Sequence, residues 1–197
     1  MFRFLYATLI GWVLLTPLAY AHSEGFANVF VKAVFSQDGF VGVENHWTFD
    51  EEFSESKLAM VDKNFDGKIS QEEGEVLMHD ILDNLESRNY CNYVLSGTKF
   101  LKEEGIKEFK AEMVNGRLVL NFVVAFSEPS RQDYSMLVVV VDDLSNSVQM
   151  TSNMEISGVV APPELDVEYF SDSLSGLTLF RAFRSDVRGL FIRYRSR

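Results

Sequence analysis

Residues 62–73 read "DKNFDGKISQEE", and whether this stretch is a strand connection or a cation loop decides the architecture around it. Oxygen-bearing side chains fall at its first, third and fifth positions (Asp62, Asn64, Asp66). Gly67 takes the sixth position, where the chain must turn sharply, and Glu73 takes the twelfth. That order meets every position of the pattern D-x-[DN]-x-[DN]-G-x5-E. Calcium needs six to eight oxygens at about 2.3–2.6 Å, and a twelve-residue loop supplies them at fixed positions. Asp62, Asn64, Asp66 and Ser70 would give side-chain oxygens, Lys68 its backbone carbonyl, and Glu73 both carboxylate oxygens. The expectation is an EF-hand-like calcium loop, the alternative being a degenerate loop that keeps the turn without the ion.

Both flanks support a helix-loop-helix over residues 50–88. Before the loop, "DEEFSESKLAMV" sets Phe49, Phe53, Met60 and Val61 near one helical face, with acids in the first turn where the helix dipole favours them. After it, Ser70 and Glu73 form a capping box, and Val76, Leu77, Ile81 and Leu85 make an apolar face four or five turns long. Sensor loops usually come in pairs that open to expose a groove. No second copy stands in this chain: "DDLSNSVQMTSN" has Ser147 and Val148 where the glycine should be. A mainly structural ion is therefore expected, a sensory one remaining the alternative.

Elsewhere the pattern is that of strands. "NVFVKAVF" and "FVGVENHWTF" flank Asp38-Gly39, a hairpin signal, and Asn115-Gly116 joins "KEFKAEMV" to "RLVLNFVVAFS" in a second. "MLVVVVDD" is continuously apolar, as for a central strand covered on both faces. "SVQMTSNMEI", "DVEYF", "LTLFRAF" and "GLFIRYR" read as further strands, and "VVAPPELD" as a loop. The fold class expected is α+β: mostly antiparallel sheet, with the helix-loop-helix inserted after the N-terminal hairpin.

The first 21 residues carry Arg3, an apolar run from Leu5 to Leu18 and the small-x-small triplet Ala19-Tyr20-Ala21. This is the pattern of a secretory signal peptide. Cleavage after Ala21 would leave one soluble, exported domain over 22–197 with no membrane anchor. The full 197-residue sequence, 47% apolar with 17 Phe, can build a real core, and its net charge of −11 argues against nucleic acid or anionic membrane as partners of the whole surface. Six arginines against one acid, Asp186, in "RAFRSDVRGLFIRYRSR" from Arg181 read as an outward strand face or as a basic docking strip. Cys91 is the sole cysteine, read as a buried inert thiol, with an intermolecular disulfide or reactive thiol as alternatives. No flanking sequence around Cys91, His46 or His79 supports a nucleophile and base, and no acid stands apart in an apolar run, so no enzyme is expected. At a new N-terminus His22 could chelate Zn2+, Ni2+ or Cu2+ with its amine and imidazole, Glu24 adding an oxygen.

Taken in order, the A-x-A signal, the following His, the hairpin, the Trp47–Phe53 stretch "WTFDEEF" and the D-x-N-x-D-G loop resemble a bacterial family of unknown function. That family is described as the periplasmic component of an uncharacterised ABC-type transport system. The resemblance runs over nearly the whole mature length. It implies a periplasmic, non-enzymatic protein associated with nickel, cobalt or zinc transport and partnered by a membrane transporter. Where family members commonly begin His-Pro-His, this chain reads His22-Ser23-Glu24, so an acid replaces the second histidine. The other reading is a purely structural or protein-interaction module stapled by calcium.

Overall fold

A computed structural model describes residues 25–145 and 147–197; the expected signal peptide, His22 and Glu24 lie outside them. The chain is α+β, 48% strand and 20% helix, its strands mostly antiparallel. β1 (Phe26–Ser36) and β2 (Gly39–Phe49) form the first hairpin, followed by α1 (Glu51–Val61) and α2 (Gln71–Leu82). A 3-10 stretch, Asp83–Cys91, leads into β3 (Asn92–Ser96) and the short β4 (Lys99–Phe100). β5 (Ile106–Val114) and β6 (Arg117–Pro129) are the second hairpin; Asn115 and Gly116 adopt φ of 51° and 77°, the left-handed turn that Asn-Gly favours. β7 (Ser135–Val141), β8 (Gln149–Ser152), β9 (Gly158–Val160), β10 (Leu165–Ser173) and β11 (Arg188–Ser196) complete the chain.

The strands make two sheets. One runs β5-β6-β2-β1-β8 with β9 also on β1, the other β10-β11-β7-β3-β4. β8 and β9 pair with β1 in parallel, an exception to the antiparallel expectation. Val43, Trp47, Phe49, Leu120 and Phe122 of the first sheet share one buried cluster with Val94, Leu137, Val139, Ile192 and Tyr194 of the second. β7 lies in the middle of its sheet, and its alternate residues Val138 and Val140 join a second cluster with Leu174, Phe180 and Val187. The continuous apolar run thus has a face for each cluster. "LTLFRAF" departs from expectation: Thr178–Phe180 is a 3-10 turn within the segment that covers this outer face. Its aromatic residues pack without entering a ladder.

A buried polar link joins the two sheets. Asn45 on β2 and Asn92 on β3 are fully buried; the Asn45 amide donates to Asn92 Oδ1 (3.1 Å) and to the Val43 carbonyl. Asn45 Oδ1 accepts from Trp47 Nε1 (3.2 Å), and the Asn92 amide donates to the Tyr90 carbonyl (2.7 Å). A buried polar network is favourable only when each member is satisfied, and this one is. Asn45→Ala would orphan the indole N–H and the Asn92 carbonyl and should cost about 2–5 kcal/mol. Glu44→Ala, which removes a solvent-exposed ion pair with Lys32, should stay within about 1 kcal/mol. Chemical denaturation of the two variants checks this, and equal costs would contradict the linking role.

Candidate metal centre

The helix-loop-helix hangs from the first sheet by its entry. Asp50 caps α1: its Oδ1 accepts from Phe53 N (2.9 Å), while Oδ2 accepts from Phe26 N (2.6 Å) at the start of β1. Ser54, fully buried, donates its hydroxyl to the Asp50 carbonyl and accepts from Leu118 N of β6 (2.8 Å). The buried face of α1 is thus Phe53, Ser54 and Val61, whereas Met60, expected to be apolar inward, is 46% exposed. On α2, Leu77 and Ile81 are buried and Val76 is exposed. The helix stops at Leu82, short of the expected length, and Leu85 is buried from the 3-10 stretch. Asn89, Tyr90 and Cys91 then adopt φ between 51° and 61°, which costs non-glycine residues roughly 1–2 kcal/mol each. No glycine marks this reversal, so the sequence gives no sign of it. Burial of Tyr90 and Cys91 in the main cluster offsets the strain. Lys57 Nζ ties α1 to Asp80 of α2 at 2.6 Å.

Between the two helices the loop folds around its own side chains. Asp62 Oδ1 accepts from Asp66 N (3.2 Å) and Oδ2 from Gly67 N (2.9 Å). Asn64 Oδ1 also accepts from Asp66 N (3.0 Å), and Asp66 Oδ1 from Lys68 N (2.9 Å). Asn64 Nδ2 donates to Asp66 Oδ2 at 3.1 Å. Gly67 has φ of 71°, the conformation the sixth position was expected to need. Ile69 is partly buried and packs on the main cluster.

Glu73 stands apart from this arrangement. Its Oε2 accepts from the Ser70 backbone N–H and hydroxyl, both at 2.8 Å, while Ser70 Oγ accepts from Glu73 N, completing the capping box. Among the described residues no group of three or more His, Cys, Asp or Glu is gathered to hold a metal ion. The donor set of the loop, all carboxylate, amide and hydroxyl oxygen, suits a hard cation. Asp62, Asn64 and Asp66 share one loop, and the Oε2 of Glu73 is engaged by Ser70.

The remaining candidates fall elsewhere. His46 sits on the outer face of the first sheet, stacked on Phe30 at 4.4 Å with Nδ1 2.7 Å from Asn121 Oδ1. His79 is exposed on α2, 3.1 Å from Asp83. Cys91 is fully buried, and burial, with Asp143 nearby, pushes its thiol well above the ordinary range, which disfavours the thiolate. The arginines of β11 are outward and paired within the chain, Arg193 with Glu168 (2.6 Å) and Arg195 with Asp166 (3.3 Å).

One acid pair escaped the sequence reading: Asp142 and Asp143, at the end of the apolar β7 run, have side chains only 6% and 0% exposed. Burial raises Asp142, which Arg184 partly offsets. Burial also acts to raise Asp143, but hydrogen bonds from Ser145 and Val148, with Arg88, bring it below the ordinary value. Both are ion-paired, to Arg184 and Arg88.

A family model described as "Protein of unknown function (DUF1007)" matches residues 7–162, well over half of the chain, and the chain belongs to that family. The match takes in both helices and the loop and ends before β10. No curated protein matches the chain.

Asp50 gives this region a pH dependence. Burial acts to raise its carboxyl, but the Phe53 and Phe26 N–H bonds outweigh it and leave the value below that of an ordinary aspartate. A depressed folded value contributes stability that is present above the unfolded value, near pH 4, and is lost as pH falls through the folded one. Asp50→Asn keeps a capping oxygen but not the charge. It should lower stability at pH 7 and flatten the decline below about pH 4. An acid limb as steep as in the wild type, read by denaturation from pH 7 to 2, would contradict the assignment.

Proposed function

We propose that this chain is an exported, non-enzymatic metal-binding accessory protein of the periplasm whose helix-loop-helix holds one calcium ion. Asp62, Asn64, Asp66, the Lys68 carbonyl, Ser70 and Glu73 are its ligands. The observation that carries this reading is the set of Asp62, Asn64 and Asp66, whose oxygens accept the N–H groups of Asp66, Gly67 and Lys68 within the loop. A bound ion supplies charge neutralisation for the loop; the chain supplies the rest. Because α1 is fixed to β1 and β6 at its entry and tied to α2 by Lys57, the ion closes a loop between held helices. Its role is mainly structural. The signal-like N-terminus supports export, and the resemblance to transport-associated proteins supports a membrane metal transporter as partner. The second reading, a calcium-stapled interaction module without a transition metal, draws on the same loop.

Calcium at a few millimolar, acting on a site with affinity near 10⁻⁴ M, should stabilise the protein by about 2 kcal/mol. That corresponds to a Tm higher by roughly 4–8 °C. Glu73→Gln should abolish the shift yet leave the calcium-free Tm nearly unchanged, since Gln also completes a capping box. A wild-type melt indifferent to calcium would refute the loop reading. Zinc, nickel or cobalt titration separates the two readings: transporter-linked binding should weaken in His22→Ala, and equal binding by both proteins removes the transition-metal half.

A further inference from the structure

A cavity of about 300 Å³ opens between α1, the end of α2 with its 3-10 extension, and the segment joining β7 to β8. Phe53, Ile81, Leu85 and Val148 make its apolar floor, all four buried. Asn84, Arg88 and Ser147 bring polar groups to it, and Lys57 stands at one side. Ile81, Asn84, Leu85 and Arg88 recur at spacings of three and four, so one helical face carries both floor and cation. Among the described residues no acid lines the cavity.

Arg88 has donors to spare. Its side chain is 35% exposed, and its ion-pair partner Asp143 lies 3.9 Å away, too far for a hydrogen bond. The Asp143 side chain is fully buried and its oxygens are taken, Oδ1 by the Ser145 N–H and hydroxyl, Oδ2 by the Val148 N–H. Asp143 therefore backs the guanidinium without consuming its N–H groups. No buried side-chain nitrogen among the described residues lacks a partner, so the unspent donors of Arg88 are accessible ones. Lys57, by contrast, is spent on Asp80 at 2.6 Å.

We propose that this cavity binds a small organic carboxylate, the Arg88 fork holding the carboxylate while Phe53, Ile81, Leu85 and Val148 cover an apolar body. A guanidinium meets a carboxylate with two parallel N–H bonds, and an apolar cavity with a few placed polar groups is the ordinary form of a small-ligand site. Asn84 and Ser147 add an amide and a hydroxyl for the second carboxylate edge or a polar substituent. The charges match one to one: a single carboxylate against the single cation whose donors are unspent. The chain's −11 is spread over its surface and screened beyond about 8 Å. A dianion such as phosphate would bring a second charge with no free cation, and an apolar floor that cannot hydrate it. The site needs neither the calcium ion nor a transition metal.

The test titrates the protein, as recovered from the producing cell, with sodium phenylacetate, read by calorimetry and by the arginine Nε–H resonances of the nitrogen-15-labelled chain. One phenylacetate per chain should bind and shift the Arg88 Nε–H. Phenylacetamide keeps the ring without the charge, acetate keeps the charge without the ring, and each should bind at least about tenfold more weakly. Arg88→Lys, which keeps the charge but not the fork, and Arg88→Gln should both weaken phenylacetate, Arg88→Gln by about tenfold or more. Asn84→Trp fills the cavity from an exposed position and should lose binding with the Tm held. Should the Arg88 variants fail to fold, the amide comparison and Asn84→Trp decide. No uptake of phenylacetate overturns the proposal. So do equal uptake of phenylacetamide, tighter uptake of inorganic phosphate, undiminished binding by Asn84→Trp, or an Arg88 resonance unmoved at saturation.

Discussion

Ser54 holds the helix-loop-helix where it is. Its hydroxyl donates to the Asp50 carbonyl and accepts the Leu118 N–H of β6, so the first turn of α1 is hydrogen-bonded directly into the first sheet. Asp50 adds the start of β1 to the same junction through the Phe26 N–H. A helix pinned at its entry and packed along its face by Phe53 and Val61 delivers Asp62 to a set place. α2 is located independently by Leu77 and Ile81 in the main cluster. The loop therefore spans two anchored ends, and what it can do chemically is limited to what its own side chains can rearrange.

That limit concentrates attention on Glu73. Its carboxylate caps α2 through the Ser70 N–H and hydroxyl, and in the calcium site we propose it would also serve as the twelfth-position ligand. A capping interaction is worth about 1 kcal/mol, whereas a divalent ion facing three carboxylates offers a larger electrostatic return. In the calcium site we propose, this competition would lower the affinity, which a calcium-rich compartment tolerates.

Local chemistry was legible from the sequence where one residue type dictates one geometry. The second hairpin follows from Asn115-Gly116, the α2 cap from Ser70 and Glu73, and the central strand from the Leu137–Val141 run, while the first hairpin forms where expected but turns at Gln37-Asp38, with Gly39 already pairing in β2. Features set by tertiary packing were not. Burial of Ser54 and exposure of Met60 depend on how α1 meets β6, which a 3.6-residue period cannot convey. The left-handed turn at Asn89-Tyr90-Cys91 carries no glycine signal, and Thr178–Phe180 has strand composition but covers a sheet face instead of joining one. The loop's D-x-[DN]-x-[DN]-G-x5-E order was readable as a pattern, and the Ser70–Glu73 cap, also readable, engages the carboxylate at the twelfth position of that pattern.

The most direct measurement is the backbone amide spectrum of the nitrogen-15-labelled protein as calcium is added, followed at Ser70. The account predicts that the Ser70 resonance shifts and its hydrogen exchange accelerates as Glu73 departs, saturating with one ion per chain, while the Leu118 amide stays put. Calcium added in excess with the Ser70 amide unmoved and still protected would contradict it.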